Sequence, residues 1–192
     1  MDKENITNQI QALASSMFKK NFFGICHGSV SAKLSQSSFL INKNDAFLNQ
    51  LNEKNLNTLK FTKDYSWSEA SKDCEVHKSI YENIPEAKFI CFACPAYTLS
   101  MSLNYDFITP QDYFGEIFLK EIHVYNPKNY EDWEDRSQTE IYRHMLEKKQ
   151  NFIVIKGYGI FAYGRTSYEL GKIIDLIENS CKIIHLAETN LS

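Results

Sequence analysis

Five consecutive apolar residues, Phe89-Ile-Cys-Phe-Ala93, lie between Pro85 and Pro95 and constrain the chain more than any other feature. A run this short and this apolar reads as a buried strand, and the proline behind it stops the ladder. A buried strand needs cover, and amphipathic segments supply it. Ile6, Ile10, Leu13 and Met17 recur at spacings of four, three and four, which predicts a helix over 3–20. Val76, Ile80 and Ile84 share one face of a helix expected over 71–84. Another is expected over 96–103. Thr166-Ser-Tyr-Glu169 is a capping box, and the helix behind it carries Leu170, Ile173, Ile174, Ile177 and Ile184 to about Ala187.

The remaining strand signals are scattered along the chain. Residues 28–34 and 38–42 read as a hairpin, 58–62 as a strand, and the β-branched and aromatic stretch Glu116–Tyr125 as another. Phe152-Ile-Val-Ile and Ile160-Phe-Ala-Tyr form a second hairpin around Gly157-Tyr-Gly159. A short helix is expected near 45–52. Ser137-Gln-Thr-Glu140 reads as a capping box that opens a helix to about Lys149, with the acidic run Glu131–Asp135 as a solvated loop before it. The fold class is therefore α/β: a sandwich with a central, mainly antiparallel or mixed sheet flanked by helices, not a strict βαβ repeat.

Length and composition narrow the function. The 192 residues suit one domain over 1–192, and seven glycines with four prolines leave no flexible linker. A net charge of −3 supplies no basic field for nucleic acid or an anionic membrane. The polar start and the lack of any run of ~18 apolar residues lead us to expect neither an export signal nor a membrane span. Five cysteines at irregular spacing point to reduced thiols in a cytoplasm.

Four segments, in order, resemble the class II aldolase/adducin family. Gly28-Ser-Val-Ser31 is similar to its Gly-Asn-Ile-Ser turn, and His77-Lys-Ser-Ile-Tyr81 with Pro85-Glu-Ala87 to its His-x-x-Ile-Tyr helix and exit. Cys91-Phe-Ala-Cys-Pro95 takes the place of its His-Thr-His-Ser-Pro motif, and Gly157–Gly164 that of its Asn-His-Gly hairpin. The resemblance implies an oligomeric sandwich, expected as a homotetramer. In the family's active members three histidines hold a divalent metal, usually zinc. Small sugar phosphates are then cleaved or epimerised through an enediolate. Two histidines on alternate strand positions share a face, and a third from the hairpin leaves metal positions open to substrate.

Carried over position by position, the resemblance puts Cys91, Ala93 and Tyr158 where the three ligands stand. Asp73 falls at the acid/base glutamate, and Tyr113 at the tyrosine that a neighbouring subunit lends. Ser29, Asn42, Lys43 and Ser71 fall on substrate-binding elements. Alanine offers a metal nothing, so the expected protein has no metal cofactor and is a binding protein, scaffold or pseudoenzyme. The alternative is an active lyase or epimerase on a small phosphorylated or acidic sugar, with Asp73 as base and Tyr113 assisting.

The cysteines admit other readings. Cys74, His77, Cys91 and Cys94 resemble a Cys3His zinc set, with Cys74 and His77 on one helical face. Cys91 and Cys94 could form a redox pair. Reduced core thiols are the plain reading. Cys26-His27 at the first turn could act as nucleophile and base, against the plainer reading of an ordinary loop.

Overall fold

The structure, a computed structural model, describes residues 2–25 and 27–189. Eight strands form one sheet: β1 (Ser29–Lys33), β2 (Ser38–Asn42), β3 (Leu56–Lys60), β4 (Phe89–Ala93), β5 (Phe107–Ile108), β6 (Ile122–Tyr125), β7 (Phe152–Ile155) and β8 (Gly159–Gly164). Their order across the sheet is β3-β2-β1-β4-β8-β7-β6-β5. The β6–β7 pair is parallel and the other pairs are antiparallel. The expected mainly antiparallel sandwich is what forms.

Among the described residues, six α-helices cover the sheet: α1 (Lys3–Lys19), α2 (Cys74–Asn83), α3 (Ala96–Asn104), α4 (Tyr113–Phe118), α5 (Trp133–Lys148) and α6 (Ser167–Thr189). The predicted stripe of α1 is buried at Ile6, Ile10, Leu13 and Met17. It joins Met101 of α3 and Leu170, Ile174, Ile177 and Ile184 of α6 in a core on one face of the sheet. Ile80 of α2 and Trp133, Ile141 and Met145 of α5 build a second core on the opposite face. The central strand β4 alternates between them. Phe89, Cys91 and Ala93 enter the first core, and Ile90 and Phe92 the second.

Two expectations need correction. Glu116–Tyr125 is not one strand. Asp112 accepts a hydrogen bond from the Gly115 amide at 2.9 Å and caps α4, so the strand β6 begins only at Ile122. Ser137-Gln-Thr-Glu140 opens nothing. The helix α5 already begins at Trp133, and the Ser137 hydroxyl donates to the Glu134 carbonyl inside it at 3.0 Å. The supposed acidic loop is thus partly the first turn of α5, where Glu134 and Asp135 suit the helix dipole. Arg136 pins the segment before that turn. It donates to the carbonyls of Pro127 and Asn129, each at 2.9 Å, and to Asp132 at 2.9 Å. Its other guanidinium nitrogen reaches the Glu140 carboxylate at 2.6 Å. At the last helix, the Glu169 amide donates to Thr166 Oγ1 at 3.1 Å and the Glu169 carboxylate takes the Arg165 amide at 2.9 Å.

Candidate functional site

The second core ends in a cleft of about 510 Å3 where the first turns of α2 and α5 meet the β7–β8 turn. Asp73, Glu75, Glu134 and Asp135 line it, with Lys63, Lys72 and the rings of Tyr130, Trp133 and Tyr158. Asp73 sits just before α2 yet caps nothing in it. Ser71 Oγ instead accepts a hydrogen bond from the Asp73 backbone amide at 3.4 Å, and the hydroxyls of Ser29 and Ser71 favour its ionised carboxyl. Burial pushes the Asp73 carboxyl up to about 6, the two hydroxyls pull it down, and Glu134 pushes it up again. That value places it close to neutral pH, where a carboxyl can both take and return a proton.

His77, one turn along α2, is fully buried. Its Nε2 lies 2.9 Å from Ser29 Oγ and its Nδ1 2.6 Å from Ser31 Oγ. Burial lowers its pKa to about 3, so the ring is neutral. The Ser31 hydroxyl also meets Tyr81 Oη at 2.7 Å. The histidine therefore has its hydrogen-bonding capacity filled by protein.

Aromatic rings occupy the floor between β4 and the turn. Phe92 stacks on Phe161 with centroids 4.6 Å apart and faces Tyr158 at 5.0 Å. Cys94 Sγ lies 3.6 Å from the Tyr158 carbonyl. Burial pushes the Cys94 thiol up to about 12 and drives the Tyr158 phenol well above its ordinary value. Asp73 adds to both shifts, and Cys94 and Glu134 to that of Tyr158, so these groups share one neighbourhood.

This geometry separates the carried-over ligand positions. Cys91 and Ala93 point into the first core, across the sheet from Tyr158. The strand residues on Tyr158's side are Phe92 and Cys94. A phenyl ring, a protonated thiol and a phenol offer no donor set suited to zinc. The second candidate set, Cys74, His77, Cys91 and Cys94, does not assemble either. Its histidine is held by two serines and its Cys91 faces away. Among the described residues, no three His, Cys, Asp or Glu side chains are grouped to hold a metal ion. Burial raises the thiols of Cys74, to about 11, and Cys91, which leaves both as inert core groups.

The expected substrate-binding residues divide. Ser29 and Ser71 join Asp73. Asn42 is buried and internal, accepting from the Val30 amide at 2.8 Å and donating to the Lys43 carbonyl at 3.0 Å. Lys43 pairs with Glu69 at 2.8 Å and lies outside the cleft lining. Tyr113 is 72% exposed on α4, a helix that packs on α6, and does not reach its own chain's cleft. Cys26 lies outside the described residues, and His27 is exposed. The sequence reading missed Tyr130, Trp133 and Glu134 as cleft residues, and Phe92 as the ring packed behind Tyr158. The acidic run before the tryptophan's helix was the available signal. A larger groove, about 650 Å3 and lined by Lys33, Phe61 and Lys88, lies away from the cleft. Among the described residues no helix is long and apolar enough to cross a membrane.

The model of the class II aldolase and adducin N-terminal domain matches residues 8–185. No curated protein matches the chain. Among solved structures, the chain is similar to L-fuculose-1-phosphate aldolase from Thermus thermophilus. The TM-score is 0.84 at 20% identity, covering 97% of this chain and 96% of that one. It is also similar to YgbL from Escherichia coli, a putative aldolase/epimerase/decarboxylase. There the TM-score is 0.78 at 15% identity, with 95% and 89% covered. The N-terminal class II aldolase domain of a conserved protein from Thermoplasma acidophilum gives a TM-score of 0.63 at 12% identity, with 96% and 95% covered. At these identities the likeness speaks for the fold.

Proposed function

The chain belongs to the class II aldolase and adducin family, and on that premise we propose that it is a divergent member whose cleft works without the family's metal-dependent aldol cleavage. It acts as a binding protein or pseudoenzyme at the cleft around Asp73. One observation carries this reading: the strand positions that face the hairpin are Phe92 and Cys94, and Phe92 fills its place with a stacked ring. The test is L-fuculose 1-phosphate cleavage, the activity named for a structural relative, assayed with and without added zinc. No turnover above background is expected in either case. Zinc-dependent cleavage that Asp73→Asn abolishes overturns the proposal.

A second reading rests on Asp73 itself. A carboxyl near 6, inside a cleft, is suited to proton transfer. In this reading Asp73, as carboxylate, takes a proton from a carbon beside a carbonyl and returns it, so the chain is an epimerase or lyase. Solvent deuterium exchange into a bound hydroxyketone, lost in Asp73→Asn, measures this directly.

Both readings include a homo-oligomer, with a tetramer expected from the family. Phe107, Tyr113, Phe114, Ile117 and Phe118 are each more than half exposed. An apolar patch of this kind on a soluble fold supports burial against a second copy. Tyr113 belongs to that face and so would approach a neighbouring subunit. The protein's place is the cytoplasm, consistent with buried reduced thiols.

A further inference from the structure

We propose that the groove of about 650 Å3 between the start of α1, the β1–β2 turn and the end of α2 is a second ligand site, which takes a small aromatic carboxylic acid as its monoanion. Lys33 and Lys88 hold the carboxylate, and the rings of the groove hold its body. The groove shares no lining residue with the cleft at Asp73, so the inference goes beyond the reading of that cleft and does not depend on it.

Charge is the first argument. The chain as a whole carries −3, yet the charged groups of this lining are Lys33, Lys88 and Glu82. The sign is locally reversed. The sheet also forces the two lysines together. β1 and β4 run antiparallel with Ala32 paired to Phe89, and one step further the Lys33 amide donates to the Lys88 carbonyl at 2.8 Å. Like charges opposite one another on neighbouring strands repel. Glu82 offsets one of them, and it is shared with Lys78 at 3.9 Å. Two ammonium groups against one carboxylate leave a single positive charge in the lining. That charge matches a monoanion better than a phosphate dianion.

The setting of Lys33 is the second argument. Its Nζ donates to the Tyr81 carbonyl in the last turn of α2 at 2.8 Å. It lies 5.7 Å from the centre of the Phe61 ring and 5.8 Å from that of Tyr81. An ammonium has three protons, so two remain for an anion. Partial burial and the neighbouring Lys88 lower the pKa of Lys33, against an opposing pull from Glu82. An incoming carboxylate relieves the repulsion and replaces the lost hydration. Beside these groups, Ile6, Leu34, Pro85 and Phe89 complete an apolar wall. Mostly apolar walls with a few convergent polar groups, in a concavity of this volume, are the usual form of a small-molecule site. A ring-bearing acid uses both halves, with its ring against Phe61 and Phe89 and its charge at the lysines.

The test is the rate at which individual lysines of the full chain are acetylated by an N-hydroxysuccinimide ester, read by mass spectrometry, with phenylacetate as the probe. The reagent attacks the uncharged amine, which a bound carboxylate both covers and keeps charged. Phenylacetate should slow Lys33 and Lys88 together, with half-protection near ~1 mM, the affinity expected of a probe of about ten heavy atoms. Lys72, in the cleft at Asp73, should keep its rate. Acetate supplies the charge without the ring and phenethyl alcohol the ring without the charge, and each should protect roughly tenfold less well. In Lys88→Gln, Lys33 remains to report, and the phenylacetate needed to protect it should rise about threefold to fivefold, the size of one exposed ion pair. Phe61→Ala should raise it at least as much. Acetate or inorganic phosphate protecting Lys33 as well as phenylacetate does overturns the proposal. So does slowing of Lys72 in step with Lys33, half-protection unchanged in folded Lys88→Gln, or no protection at ~20 mM phenylacetate. A failed reading of the Asp73 cleft would leave all these rates as they are.

Discussion

Phe92 and Tyr158 face each other at 5.0 Å, ring centre to ring centre, between β4 and the β7–β8 turn. Behind Phe92, Phe161 continues the stack at 4.6 Å. Aromatic pairs of this geometry add about 0.5–1.5 kcal/mol each beyond their buried area. One substitution would not turn this packed floor into a donor set for a metal.

Three are needed. Phe92→His, Cys94→His and Tyr158→His together should create a zinc site, because all three positions lie on one side of the sheet. Binding to the folded state alone gives about 2.7 kcal/mol of stabilisation at a zinc concentration a hundredfold above Kd. The upward shift of Tm on adding zinc should be visible by calorimetry. A control triple variant, Cys91→His, Ala93→His and Tyr158→His, should bind no zinc, because its first two imidazoles would enter the opposite core. Zinc stabilisation of the control, and not of the first variant, would mean that the facing of β4 is misassigned.

Stability should respond to pH through two neighbours with opposite signs. Asp73 has a folded pKa of about 6, above its unfolded value near 3.9, so the folded state holds its proton more tightly. That contribution is present at low pH and is lost as pH rises through 4 to 6. His77 has a folded pKa of about 3, below its unfolded value near 6.5. Its contribution is present above 6.5 and is lost as pH falls toward 3. Between about pH 4 and 6 the two slopes oppose one another. Asp73→Asn removes one of them, and urea melts of that variant should show stability rising by roughly 1.4 kcal/mol per pH unit across this window. A flat profile in the variant contradicts the assignment.

The exposed side chains of α4 predict assembly. Phe114→Glu with Ile117→Glu places two charges on a face where both residues are more than half exposed. Neither side chain supports its own chain's core, so folding should survive. The parent should run as an oligomer in light scattering at micromolar concentration, and the variant as a monomer. A parent that is already monomeric removes the assembly.

Ligand charge should be discriminated. Four carboxylates line the cleft against two lysines, and Lys63 is already paired with Glu75. A phosphorylated sugar meets a net negative wall whose cations are the paired Lys63 and Lys72, since Lys43 lies elsewhere, paired with Glu69. An aromatic wall with excess carboxylate suits an ammonium group. Isothermal titration should rank glucosamine above glucose, and glucose 6-phosphate last. Tightest binding by the phosphate ester would contradict this order.

The sequence was legible where pattern and fold agree. The α1 stripe, both hairpins and the α6 capping residues could be read because their periodicities or turn residues admit one interpretation. The register of β4 could not. Every residue of Phe89–Ala93 is apolar because the strand is buried on both faces, so alternation carries no mark of which side is which. Aligning on Pro95 picks Cys91 and Ala93, which face the core opposite Tyr158. Ile117, Phe118, Ile122 and Val124 suggested one strand, since β-propensity reflects half-burial more than backbone preference. Asp112, three residues before Gly115, held the cap that separates helix from strand. Tyr81, Ser31, His77 and Ser29 are ordinary residues in sequence, and only the sheet and α2 together bring them within 3 Å of one another.

The buried thiols have a practical consequence. Cys91 and Cys181 lie in the core beneath α1 and α6, and Cys74 in the core beneath α2 and α5. Protonated and shielded, none can react with a maleimide until its surroundings open. Labelling rates, resolved peptide by peptide in a mass spectrometer, would time the opening of each face of the sheet separately. The unmodified chain therefore carries its own clock for each layer, with no engineered reporter.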